Sequence, residues 1–152
     1  MLTSRDYTLD DLRKLVVETP HIYNPNHSYM FWGHIWIKSG RDPLSDSDLI
    51  HKGIHMVQED EINFVTMLIF LLYAMMTGIS VYSFFLGLLG ISIFWYTTLF
   101  FILEFFSVLV TKGKYKNPLE NEAQLNEKDP KYIRERHMFA WVKYFKNPKS
   151  EE

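Results

Sequence analysis

A run of 42 consecutive residues, 62–103, contains no charged side chain. As one helix this run would be about 63 Å long at ~1.5 Å per residue, whereas a bilayer core of ~30 Å requires only ~20 apolar residues. Two membrane-spanning helices fit the run, and the small and hydroxyl residues of 77–83 suit a tight connection between them. We therefore predict a transmembrane hairpin with spans of roughly 62–77 and 81–103, whose two ends return to the same side.

The polar ends of the chain balance this apolar run, so that the mean hydropathy of −0.10 conceals a segregated sequence. The formal net charge is −2, which gives no electrostatic case for nucleic acid as a partner. There is no cysteine, and this excludes disulfides and thiolate metal ligands. We expect one domain over 1–152, in which 1–61 and 112–152 form a cytoplasmic part and 62–110 form the transmembrane hairpin.

Lysines 112, 114 and 116 follow the apolar run, and basic residues next to a span favour the cytoplasmic side of a membrane. The connection near Gly78 carries no charge that would oppose translocation. We therefore expect an integral protein of the cytoplasmic membrane, with the lipid bilayer as a partner and both termini cytoplasmic.

The local patterns predict a mainly α fold with a short β element. A capping pattern at 8–11 precedes an amphipathic helix that includes Leu12, Leu15 and Val16, and the aromatic and β-branched run 29–37 reads as a strand or hairpin arm. A helix should begin near Asp46 and continue into the bilayer, with the acidic residues 59–61 marking the water side. Prolines 118 and 130 predict two later helices, 119–126 and 131–145.

His51 and His55 lie four residues apart and therefore on one face of the helix that begins near Asp46. Two such histidines can place their ring nitrogens on one metal ion, and a carboxylate from a later helix can complete a three-ligand set. Gly53 weakens the same helix by about 1 kcal/mol relative to alanine, which points to a role beyond helix formation. The alternative is that both histidines are solvated.

An ordered set of sequence blocks adds to this interpretation. Residues 49–58 read LIHKGIHMVQ before the apolar run, residues 118–123 read PLENEA after it, and Tyr132, Arg136, Trp141 and Tyr144 follow. Over about 31–144 the chain resembles small bacterial and phage membrane proteins of zincin type, which read His-Glu-x-x-His-x-x-Gln and Pro-Phe-Glu-x-Glu-Ala-Tyr at these places. The resemblance implies a zincin-like helical domain.

The resemblance also implies a zinc site. His51 and His55 would be two ligands, and Glu120, three positions before an alanine, would be the third. Glu122 is the second choice for this ligand or an outer partner of the site, where Gln58 and Glu59 are also expected.

Lys52 stands where the family has the glutamate that deprotonates the metal-bound water. A protonated lysine cannot accept that proton, and its ammonium repels the metal and competes for Glu120. Glu59, one turn beyond His55, could replace the missing base but would be displaced by several Å from its position.

Three functions follow from these observations. The first is a degenerate, inactive metallopeptidase that acts by binding or scaffolding at the cytoplasmic membrane face, with a peptide or membrane protein as its partner. The second is an active membrane zinc metallopeptidase. The third is a structural or accessory subunit of a membrane complex, with no metal bound.

Overall fold

The computed structural model describes residues 7–24, 27–31, 33–90, 94–109 and 116–145. These form a mainly helical fold with one small sheet. In chain order the elements are α1 (Leu9–Lys14), β1 (Val16–Thr19), β2 (Tyr29–Phe31), β3 (His34–Lys38), α2 (Asp46–Thr77), α3 (Val81–Gly90), α4 (Tyr96–Leu109), α5 (Pro118–Asn126), α6 (Tyr132–Glu135) and a 3₁₀ helix (Ala140–Phe145).

The sheet has β3 at its centre, paired antiparallel with β2 and parallel with β1. The hairpin expected from the run 29–37 is therefore present as β2 and β3. The expected helix through Val16 is wrong, because α1 ends at Lys14 and Val16 pairs with Ile35 in the sheet. Val16 and Val17 are β-branched, and such residues fit a pleated strand better than a helix.

Helix α2 begins at Asp46, as predicted, behind a capping box. The Ser45 hydroxyl accepts from the Asp48 backbone N–H at 3.1 Å, and the Ser45 backbone N–H donates to the Asp48 carboxylate at 3.3 Å. The helix then runs unbroken for 32 residues and ends at Gly78, whose φ of 62° lies in the left-handed region. It thus joins the polar part of the chain to the apolar part in one rigid element of about 48 Å.

Gly53 has a packing role rather than a role in the site. A Cβ on Gly53 would lie 2.6 Å from Ile133 Cδ1 and 2.9 Å from Leu12 Cδ1. The missing side chain lets α1 and α6 approach α2 closely, which offsets the low helix propensity of glycine. The role beyond helix formation that was expected of Gly53 is therefore the close packing of α1 and α6 on α2.

Two buried clusters position α5 beside α2. The larger cluster joins α1, the sheet, α2, α5 and α6, and includes Leu12, Ile35, Ile54, Ala123 and Ile133. The smaller cluster joins α2, α4 and α5 through Ile62, Tyr96 and Leu119. Burial of Leu119 in one cluster and Ala123 in the other holds α5 against the histidine-bearing turns of α2.

The apolar part of the chain is largely unburied. Helix α2 is long and apolar enough to cross a membrane by length and composition, and only 11% of its most apolar 18-residue window is buried. Large hydrophobic side chains are also exposed along α3 and α4. Exposed apolar surfaces of this extent mark sites of interaction with a membrane or with another protein.

The second span is not seen as one helix in the described residues. Helix α3 ends at Gly90 and α4 begins at Tyr96, and residues 91–93 between them lie outside the described residues. Gly87 permits a close approach of α3 to α2, because a Cβ there would clash with the Phe70 ring. The two-helix transmembrane hairpin therefore remains a prediction.

The C-terminal region agrees with the sequence in its first helix only. Helix α5 begins at Pro118 after the N-cap Asn117, as expected from the sequence. The single helix expected over 131–145 is wrong. Helix α6 covers four residues, Arg136 is extended, and Phe139 has a φ of 57° before the 3₁₀ helix starts.

Candidate metal centre

Three side chains from two helices converge beside the apolar region. His51 Nε2 and His55 Nε2 are 3.2 Å apart, and Glu120 Oε2 is 3.1 Å from His55 Nε2 and 3.6 Å from His51 Nε2. Two ligand atoms bound tetrahedrally at ~2.0–2.1 Å from zinc would be about 3.4 Å apart. The three atoms therefore form a triangle of the size that one metal ion requires, and the group can hold such an ion.

Gln58 determines which nitrogen of His55 carries the proton. Its amide NH₂ donates to the Leu119 carbonyl at 3.0 Å and to Glu122 Oε2 at 2.8 Å, so the hydrogen-bond network assigns its oxygen to the opposite side. That oxygen lies 2.8 Å from His55 Nδ1, which must then be the N–H donor. In the neutral imidazole the lone pair of His55 Nε2 is then available to a metal.

The other two members of the group are held by outer partners as well. His51 Nδ1 lies 3.0 Å from Glu127 Oε2, a carboxylate oxygen that can only accept from it. The second oxygen of Glu120 accepts from Gln124 Nε2 at 2.7 Å. Such contacts fix the tautomer and orientation of metal ligands, and losing one typically lowers metal affinity about 10–100-fold.

Charge within the group favours a proton when no metal is bound. The neighbouring imidazoles of His51 and then His55 hold the pKa of Glu120 well below its ordinary value. Burial lowers the pKa of His51, but the interactions with the Glu120 carboxylate, 3.6 Å away, and with Glu127 outweigh burial and raise it. A metal must displace this proton, so its affinity should fall as the pH is lowered.

Lys52 lines a cavity of about 270 Å³ together with His55 and Glu120. Burial lowers its pKa, against the opposing charges of Glu120 and Asp48. Within the described ranges the Lys52 ammonium forms no hydrogen bond or ion pair. A positive charge thus occupies the wall of the cavity into which the candidate ligands face.

Glu59 lines the same cavity, about 10 Å along α2 from Lys52 at ~1.5 Å per residue. Burial, and then the charge of Asp60, raise its pKa to about 7. Glu59 has no hydrogen bond to His55, and Glu122 contacts Gln58 rather than either histidine. Of the three expected outer partners, Gln58 alone touches a histidine of the group.

A buried ionic cluster behind Gln58 is absent from the sequence-based expectations. Arg136 Nη1 donates to Glu61 Oε1 at 2.7 Å and Arg136 Nε donates to Glu122 Oε1 at 2.9 Å. Glu61 was expected at the water side, yet it is only 5% exposed. The backbone leaves the helical conformation at Arg136, and the guanidinium of this residue lies between the two carboxylates.

Tyr96, the first residue of α4, is a second contact that the sequence analysis missed. Its hydroxyl donates to Gln58 Oε1 at 3.3 Å and lies 3.1 Å from His55 Nδ1. Its place in an apolar run gave no local signal of this contact. The apolar part of the chain therefore contributes directly to the orientation of His55.

Comparison with protein-family models, curated proteins and solved structures gave no match to this chain.

Proposed function

We propose that this chain is a membrane-embedded, zincin-like protein that binds zinc through His51, His55 and Glu120 and holds a ligand without hydrolysing it. The observation that carries the proposal is the triangle of ligand atoms, with sides of 3.1–3.6 Å, in which Gln58 and Glu127 orient the histidines. Two imidazoles and one carboxylate with an open position are a ligand set typical of catalytic zinc. That the chain is related to zincins is likewise proposed, from the sequence blocks described above.

Lys52 is the reason for proposing binding rather than hydrolysis. A zinc-bound water needs a neighbouring base to take its proton, and an ammonium group cannot do so. Lys52 lines the same cavity as His55 and Glu120, so its charge also opposes the metal. The protein would then act as a degenerate metallopeptidase, binding a partner at the cytoplasmic membrane face.

Metal analysis of the purified protein together with a peptidase assay tests this proposal. We expect about one zinc ion per chain and no turnover of hydrophobic peptides. Lys52→Glu supplies a carboxylate and should retain zinc, and any gain of hydrolysis would identify the missing base. A folded protein without zinc would instead favour the structural or accessory subunit.

An active peptidase is the second candidate, because Glu59 lines the cavity and has a pKa of about 7. A general base is most effective when its pKa lies near the working pH. Turnover by the unaltered protein that is lost in Glu59→Gln, with zinc retained, would establish this candidate. Turnover that survives in Glu59→Gln would show that another group is the base.

For the topology we propose two spans with both termini in the cytoplasm. The exposed apolar surfaces of α2, α3 and α4 support membrane insertion, and the basic residues after the apolar run support the orientation. The chain has no cysteine, so Arg5→Cys and Lys149→Cys each introduce one thiol. Both thiols should react only from the cytoplasmic side, and labelling from opposite faces would contradict the hairpin.

A further inference from the structure

The charges that line the cavity do not balance once a metal is bound. A divalent ion and Lys52 bring three positive charges, whereas Glu120 and Glu59 supply at most two negative ones among the described lining residues. No ion pair joins Glu59 to Lys52 in the described residues. The loaded cavity therefore favours an anionic ligand.

The position of Lys52 indicates which kind of anion the cavity binds. Three protein ligands leave at least one open position on a zinc ion, and Lys52 lines the cavity that contains His55 and Glu120. A carboxylate has two oxygens, so one can bind the metal while the other accepts from the Lys52 ammonium. Charge-assisted hydrogen bonds of this type are the strong ones in proteins.

Much of the cavity lining is apolar and aromatic. It includes Tyr29, Met30, Phe100 and Phe101. Phe101 is 67% exposed, and this places the wall in continuity with the other exposed aromatic residues of α4. The volume of about 270 Å³ is below the ~300–1,000 Å³ of sites that enclose drug-sized ligands, so it suits a head group and the start of a chain.

We propose that the cavity binds the carboxylate of a fatty-acid-like amphiphile, between the metal and Lys52, with the acyl chain along the aromatic face of α4. The proposal rests on the metal site proposed above. A lipid is the favoured source of the carboxylate because the wall that receives the apolar chain belongs to the exposed apolar surface of the protein.

Binding of dodecanoate to the full-length protein in phosphatidylcholine nanodiscs tests this inference, with zinc measured separately. We expect zinc-dependent binding that Lys52→Met weakens about ten- to a hundredfold, the range of a charge-assisted hydrogen bond. Lys131→Met, which removes an exposed lysine, should bind normally. Dodecanol, which has the same chain and a neutral head group, should not compete.

A second measurement locates the carboxylate. In protein loaded with cobalt, the ¹³C resonance of carboxyl-labelled dodecanoate should broaden, and it should stay narrow in protein loaded with zinc. Zinc binding without dodecanoate binding would overturn this inference and leave the metal site standing, whereas failure to bind zinc would refute the metal site. Dodecanoate binding that depends neither on zinc nor on Lys52 would also overturn the proposal. So would binding only of a hydrophobic peptide with a free C-terminus.

Discussion

Replacing Arg136 should destabilise the protein strongly, because this residue neutralises two carboxylates inside the fold. Arg136 and Glu61 are each 5% exposed and Glu122 is fully buried. The guanidinium donates to both carboxylates, with distances of 2.7 and 3.3 Å to Glu61 and of 2.9 and 3.3 Å to Glu122. Arg136→Met keeps much of the side-chain volume but leaves both carboxylates without their counter-ion.

The expected loss of stability in Arg136→Met follows from the cost of an unpaired buried charge. Removing one partner of a buried ion pair costs about 3–5 kcal/mol. For a chain of this size each kcal/mol shifts the unfolding midpoint by about 2–4 °C, so Arg136→Met should lower it by roughly 6–20 °C. The measurement is thermal unfolding in detergent followed by circular dichroism.

Arg134 provides the matched control. It lies two residues earlier on α6 and is exposed, so Arg134→Met should shift the midpoint by no more than a surface substitution does, within about 0.5 kcal/mol. Adding Glu61→Gln to Arg136→Met should recover part of the loss, because one buried negative charge is removed. Equal effects of Arg136→Met and Arg134→Met would refute the buried cluster.

Three further predictions concern the site and its packing. Gln58→Met removes the acceptor of the His55 Nδ1 proton and should weaken zinc binding about 10–100-fold in a calorimetric titration. An unchanged affinity would mean that Gln58 does not orient the His55 ring. The pKa of Glu59, about 7, lies above its ordinary 4.5, so metal-free protein should lose stability as the pH rises between these values. Glu59→Gln should remove that loss. If Glu59→Gln shifts the unfolding midpoint, relative to the unaltered protein, by the same amount at pH 5 and at pH 8, this prediction is contradicted. Gly53→Ala should destabilise the protein, because overpacking costs about 1–3 kcal/mol and the gain in helix propensity offsets only ~1 kcal/mol of this cost. Gly90→Ala is the control and should not destabilise the protein, because a Cβ at Gly90 would lie in open space.

The histidine pair and the start of α2 were predictable because both depend on local spacing. Ser45 and Asp48 form a capping box, and His51 and His55 share a face at i, i+4. Glu120 lies 65 residues from His55, and no local pattern connects the two. Its place beside the histidines was expected from the resemblance to zincins, and packing of α5 against α2 produces it.

The errors arise where a tertiary contact outweighs a local pattern. Val16 continues the helical spacing of Leu12 and Leu15, yet pairing with β3 makes it a strand residue. Glu61 lies in an acidic run beside an apolar one, which is typical of a membrane interface, but Arg136 from 75 residues away buries it. The sequence does not show what role Gly53 has, because that role depends on the positions of Leu12 and Ile133 in the folded protein.

Zinc titration into the unaltered protein, His55→Ala and Lys52→Glu tests the central claim most directly. We predict one site per chain in the unaltered protein, a large loss of affinity in His55→Ala, and tighter binding in Lys52→Glu. The last effect follows from replacing a repulsive charge by an attractive one, each worth ~4 kcal/mol per unit of metal charge at about 4 Å and an effective dielectric of 20. Equal affinities for the unaltered protein and His55→Ala would contradict the metal site, and equal affinities for the unaltered protein and Lys52→Glu would show that Lys52 does not act on it.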